Sequence, residues 1–325
     1  MPALRLVAVT KRFPGARTDA VTNLSLELPE GTVTALVGPS GCGKTTTLRM
    51  INRLVEPTSG TIELFGTDVR QLPVHELRRQ TGYVIQQAGL FPHRTVAGNI
   101  ATVPQLLGWD KQRVRERVTE LVGLVGLDPE LLGRYPAELS GGQQQRVGVA
   151  RALAADPPLL LMDEPYSAVD PIVRAHLQDE LLDLQRRVHK SIVLVTHDID
   201  EALKLADQVA VLNVAGILEQ FATPDELLRA PASPFVEQFL GRERALRRLA
   251  LQRIGEGKIG PVPDAVDGLP TVNGGARLRE ALDAIVAWGV DEVVIVDDAG
   301  HPVGGLDLAT ITERIGNAPS SSRQP

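Results

Sequence analysis

The segment Gly38-Pro39-Ser40-Gly41-Cys42-Gly43-Lys44-Thr45 meets the pattern G-x-x-x-x-G-K-[ST] at every fixed position. Its surroundings constrain the fold further. The preceding run Thr32-Val33-Thr34-Ala35-Leu36-Val37 is rich in branched apolar residues, as a buried strand requires. The following residues, Thr46 to Leu54, read as a helix. Strand, glycine loop and helix together turn the pattern into a physical expectation. Glycines let successive backbone N–H groups converge on a phosphate chain, and the helix N-terminus adds partial positive charge. Lys44 is placed to reach the outer phosphates, and Thr45, with Thr46 beside it, to offer a hydroxyl to Mg²⁺. The segment predicts a nucleoside triphosphate site.

A chain of 325 residues suggests two domains and ample core. A net charge of −6 gives no chain-wide attraction for nucleic acid or an acidic membrane face. One cysteine, Cys42, rules out an internal disulfide and reads as small filler in the loop. His75, His93, His176, His189, His197 and His301 show no metal-ligand spacing. No window nears the ~20 apolar residues of a spanning helix, so the chain reads as soluble and cytoplasmic.

Alternation such as Leu24-Ser25-Leu26-Glu27-Leu28 predicts antiparallel strands before residue 35. Strand signals disappear over about 88–157, which predicts a helical insertion. They return at Leu159-Leu160-Leu161-Met162 and Ile192-Val193-Leu194-Val195, with a helix between, from Pro171 to Val188. Strands alternating with helices imply a parallel sheet, hence an α/β fold. The basic run Arg242 to Arg253 reads as a solvated linker helix and the Gly/Pro-rich stretch 255–263 as the linker after it, together spanning 241–263. Residues 264–316 read as a separate small unit and 317–325 as a disordered tail.

Leu159 to Met162 ends in Asp163-Glu164. Carboxylates at the carboxyl edge of a parallel sheet face its ligand crevice. Asp163 suits a Mg²⁺ shell, and Glu164 is free to polarise water aimed at a terminal phosphate. A third segment, Leu139-Ser140-Gly141-Gly142-Gln143, opens a helix within the insertion. Ser140 is a capping residue, and the glycines bare backbone N–H groups at the helix's positive end, forming a second anion site.

With these three segments in this order, the chain resembles the ATP-binding subunits of ABC transporters over residues of about 3–240. The resemblance implies a P-loop ATPase fold with an antiparallel β subdomain and a helical subdomain. It implies that Leu139 to Gln143 is the signature segment, gripping the γ-phosphate of ATP held by a partner subunit. Phe13 matches the aromatic that stacks on adenine, and Gln86 the glutamine that touches Mg²⁺ and senses the membrane partner. Ser167-Ala168-Val169-Asp170 matches the loop that crosses the dimer interface, with Val169 where leucine is commoner. His197 matches the switch histidine on the γ-phosphate. The implied catalytic groups are Glu164, His197 and Lys44, and the implied state is a homodimer on ATP binding.

Within that family the likeness is to importers of glycine betaine, carnitine and choline, with the permease a separate chain and a solute-binding protein acting indirectly. It rests on Met50 to Gly60, Gly82 to Gln87, Gly89 to His93 and Val103 to Trp109. An importer of amino acids or another small solute, or a soluble mechanochemical ATPase, stays open. Near the C-terminus, helix Leu278 to Val286 and strands Val293 to Val296 and Pro302 to Leu306 resemble one CBS motif. Such motifs imply an adenine-nucleotide site but normally occur in pairs, so here the nucleotide is an open expectation.

Overall fold

The computed structural model describes residues 2–86, 89–167, 169–263, 265–266 and 268–316. The chain divides into two compact units, 1–223 and 224–325.

In the first unit, β1 (Pro2–Lys11) and β2 (Val21–Pro29) pair antiparallel, with Leu4 opposite Leu28 and Leu6 opposite Leu26. Leu24, Leu26 and Leu28 face inward while Ser25 and Glu27 face outward, the alternation of a sheet with one covered face. β3 (Val33–Val37) belongs to a second sheet and leads through the glycine loop into α1 (Lys44–Ile51). β4 (Ser59–Leu64) and β5 (Thr67–Asp68) return to the first sheet, whose order is β2-β1-β4-β5.

After α2 (Val74–Arg79) and β6 (Thr81–Val84) the chain turns wholly helical. α3 (Val96–Ile100), α4 (Thr102–Leu106), α5 (Lys111–Leu124) and α6 (Gly141–Leu153) form the expected insertion. Asp110 starts α5 by accepting from the backbone N–H of Gln112 and Arg113. α6 packs on α3, α5 and β6 through buried Val147, Ala150 and Leu153.

The remaining elements of this unit are β7 (Leu159–Asp163), α7 (Pro171–Val188), β8 (Ser191–Val195), α8 (Ile199–Leu205), β9 (Gln208–Leu212) and β10 (Leu218–Ala222). They complete a six-stranded sheet of order β10-β9-β3-β8-β7-β6, parallel except for the edge strand β10. Every residue of β3, β7 and β8 is buried, so these strands read as continuous apolar runs. Being parallel, β3, β6, β7 and β8 end on one edge, and the chain leaves that edge at Gly38, Ile85, Glu164 and Thr196. Ligands of such sheets bind outside the carboxyl ends of the strands.

The second unit opens with α9 (Pro224–Arg229), α10 (Pro234–Leu240) and α11 (Arg244–Leu251). β11 (Thr271–Asn273), α12 (Leu278–Trp288), β12 (Glu292–Val296), β13 (Pro302–Asp307) and α13 (Leu308–Gly316) follow. The sheet order is β11-β12-β13, with β11 parallel and β13 antiparallel to β12.

Two expectations differ from the structure here. The division falls after residue 223, not near 240. The basic segment is helical as expected, but it is not a solvated linker. Leu249 and Ile254 are core residues beside Leu278, Ile285, Val293, Leu306 and Ile311. Buried Arg248 pairs with Asp225 of α9 at 2.9 Å and donates to the Ile315 carbonyl. The stretch after it contains a 3-10 turn, Ile254–Glu256, and an antiparallel bridge between Gly260 and Gly305. The arginines dominate the sequence pattern and hide the apolar positions between them. The tail 317–325 lies outside the described residues.

Candidate functional site

The loop after β3 is shaped by glycines that no other residue replaces. Gly43 has φ 92°, and a Cβ there would stand 2.2 Å from the Ala20 carbonyl oxygen and 2.7 Å from Val21 Cγ2. At Gly38, φ 149°, a Cβ would stand 2.2 Å from the Leu212 carbonyl oxygen. The loop is therefore pressed against its neighbours, with Cys42 buried beneath it and Ser40 and Gly41 on the outside. Burial pushes the Cys42 thiol up, away from a reactive thiolate.

Lys44 is only 6% exposed. Its Nζ donates to the Gly38 carbonyl at 2.8 Å and the Pro39 carbonyl at 3.1 Å, and lies 3.7 Å from Cys42 Sγ. Among the described residues it has no carboxylate within ion-pair distance. A buried ammonium ion held by neutral carbonyls carries uncompensated charge, which suits a cradle for an anion.

Thr45 Oγ1 donates to Asp163 Oδ1 at 2.8 Å, joining the start of α1 to the end of β7. Burial raises the Asp163 carboxyl, while the Thr45 hydroxyl opposes the shift. The Tyr83 phenol lies in the fields of this carboxylate and of Arg49. Burial first, then the charge of Asp163, pushes that phenol up to about 12, so it stays a donor. A threonine hydroxyl and a buried carboxylate are hard oxygen ligands, so this donor set fits Mg²⁺.

Glu164 occupies a left-handed backbone conformation, φ 46°, unusual for a side chain of its size. Its N–H donates to the Val195 carbonyl at 2.9 Å, and its own carbonyl accepts from Ser167 Oγ at 3.0 Å. Such strain costs on the order of 1–3 kcal/mol and persists only where neighbours impose it. The effect is to turn the carboxylate toward two loops. Oε2 accepts from Gln86 Nε2 at 3.0 Å and lies 3.2 Å from His197 Nδ1. Strand ends thus bring Gln86, Glu164 and His197 to one oxygen.

Other expected residues stand apart from this group in their bonding. Ser140 Oγ accepts from the Gln143 N–H at 3.3 Å, and Gln143 Oε1 accepts from the Ser140 N–H at 2.9 Å. That is a capping box at the start of α6, leaving Ser140 and Gly141 exposed. Gly142 lies against α7, where a Cβ would come 3.1 Å from Val173 Cγ1. Phe13 is an exposed ring with Lys11 Nζ 5.1 Å from its centroid. Asp170 caps α7 by accepting from the Ile172 N–H at 2.9 Å. Sequence reasoning missed Tyr83; only its place three residues before Gln86, on the strand beside β7, was a signal for it.

Residues 21–167 match a family model described as ABC transporter. The osmoprotectant import ATP-binding protein OsmV of Salmonella typhimurium is 48% identical over 307 residues, 93% of this chain and 78% of that protein. The glycine betaine uptake system ATP-binding protein YehX of Escherichia coli is 49% identical over 304 residues, 92% of this chain and 95% of that protein. A dimeric ATP-binding cassette in a post-hydrolysis state, bound to ADP and phosphate, superposes with a TM-score of 0.61 at 32% identity. That match covers 68% of this chain and 98% of the cassette. Among the described residues, no helix is long and apolar enough to cross a membrane.

Proposed function

Because this chain belongs to the family of ABC transporter ATP-binding subunits, we propose that its site works as half of an ATP-hydrolysing pair, completed by a second copy. The protein is an ATPase that energises uptake of a compatible solute through membrane permease components. The solute is of the glycine betaine, carnitine, choline or proline type, delivered by an extracytoplasmic binding protein. The subunit sits peripherally on the cytoplasmic face.

One observation carries the catalytic reading. The Glu164 carboxylate is held at one oxygen by Gln86 and His197, one residue beyond an aspartate bonded to Thr45. Glu164 is the group that polarises the attacking water. Lys44 and the loop N–H groups hold the phosphates. His197 keeps Glu164 aimed and meets the γ-phosphate. Gln86 links the same carboxylate to the segment where a permease docks. Thr45 and Asp163, with the Gln86 amide oxygen, would hold Mg²⁺, which would supply neutralisation of charge on the outer phosphate oxygens.

Within one protomer the capping box of Ser140 and Gln143 bonds only to its own helix start and leaves Ser140 and Gly141 exposed. In this reading it closes over ATP held by the other copy, and Phe13 stacks on adenine. Asp170 reaches across the same interface. Glu164→Gln tests the arrangement. We expect ATP binding to persist, turnover to fall about 10²–10⁴-fold and a stable dimer to form with ATP on size exclusion. A monomeric variant turning over at the wild-type rate contradicts it.

The order β11-α12-β12-β13-α13 supports reading the second unit as one CBS-like motif. In this reading two copies pair across the dimer, with an adenine nucleotide as the candidate ligand.

A further inference from the structure

Arg174, in the first turn of α7, reaches two other segments at once. Its Nη2 donates to the Val169 carbonyl at 3.1 Å, and its Nη1 lies 3.6 Å from Asp198 Oδ2. Val169 belongs to the segment 167–170, assigned above to the interface between copies. Asp198 follows His197 directly and fixes the backbone on both sides of it. The Asp198 N–H donates to Thr196 Oγ1 at 3.0 Å, and Oδ1 accepts from the N–H groups of Asp200 at 2.9 Å and Glu201 at 3.4 Å.

The surroundings of Arg174 are unusual for a structural tie. Among the described residues its Nε is buried without a partner, and so is Oε1 of Glu201, which is 5% exposed. Glu201 sits in the first turn of α8, its carboxyl in the fields of Asp198, Arg174, Glu164 and the Thr196 hydroxyl. Tyr166, also buried, feels the charge of Glu201 and of Glu180. Native interiors satisfy most buried polar atoms, and exceptions concentrate where an arrangement serves something besides stability.

A guanidinium group is a rigid planar fork. Movement of the Val169 carbonyl that holds Nη2 therefore also displaces Nη1 and alters its ion pair with Asp198, next to His197. We propose that Arg174 is a positioning residue that couples the interface loop of one copy to its own switch histidine. Docking of a second copy on segment 167–170 then sets the aim of His197 on Glu164. This rests on the two-copy reading above and adds the route by which one site registers its partner.

The test is steady-state ATPase kinetics of the full chain in five forms: wild type, Arg174→Met, Arg174→Lys, His197→Ala and the double variant Arg174→Met with His197→Ala. Arg174→Met is expected to lower kcat about tenfold, with KM for ATP moved less than about twofold and an unchanged melting temperature. Its Hill coefficient for ATP falls from about 2 toward about 1. Arg174→Lys, which keeps charge but not the fork, recovers part of the rate. In the His197→Ala background, Arg174→Met costs less than about twofold, because the route is already cut. An equal loss in both backgrounds overturns the proposal, as does Arg174→Met with wild-type kcat and Hill coefficient. A fall in kcat accompanied by a fall in melting temperature also overturns it. Failure of Glu164→Gln to dimerise with ATP strikes the two-copy reading itself, so the two failures are distinguishable.

Discussion

Glu201 carries a carboxyl raised to about 7, by burial first and then by the charge of Asp198, against the opposing pull of Arg174 and the Thr196 hydroxyl. Its unperturbed value is 4.5, so between 4.5 and about 7 the folded protein keeps a proton that the unfolded chain has released. Stability from this group is complete below that window and declines as pH rises through it. Glu201→Gln stays neutral and escapes the decline. Thermal melts should show the variant gaining on wild type between pH 5 and pH 8, by on the order of 2–3 kcal/mol. A gain at pH 5 that vanishes at pH 8 contradicts this assignment. Lys44→Ala removes the buried ammonium and should weaken ATP at least about tenfold in a fluorescent-nucleotide titration. Residues with a fixed place in a local pattern, such as Lys44, Asp163 and Ser140, were legible before the fold was known. Tyr83, Arg174 and Glu201 were not, because their importance comes from partners far away in sequence that only the sheet brings near.

At the scale of elements, the parallel strands do the assembling. β3, β6, β7 and β8 end on one edge and deliver Gly38, Gln86, Glu164 and His197 to it from four distant stretches of chain. Buried strands and capped helices were readable, since continuous apolar runs and residues such as Asp110 and Ser140 announce them. β9 and β10 were not distinguished, because their short runs carry no capping or turn signal strong enough to separate strand from helix. α11 misled for a different reason: charge masked its apolar side. Leu249→Ala, at a position 2% exposed, should therefore destabilise the second unit by about 2–5 kcal/mol in a denaturant melt. A change under about 0.5 kcal/mol would restore the view of this helix as a solvated linker.

At the scale of the whole molecule, the groups assigned above to phosphate lie in the first unit, and in the proposed reading its two anion-binding helix starts serve different ATP molecules. In the proposed dimer each site takes its loop from one copy and its signature from another. Mixing two inactive variants tests it most directly. Lys44→Ala spoils the loop and spares the signature. Gly141→Asp does the reverse, placing a carboxylate at the exposed start of α6, where a Cβ would meet no atom within 4 Å. In an equal mixture half the dimers are mixed and each restores one site of two, so ATPase should recover toward about a quarter of the wild-type rate. Recovery no greater than the sum of the separate variants, or full activity of Gly141→Asp by itself, contradicts the account.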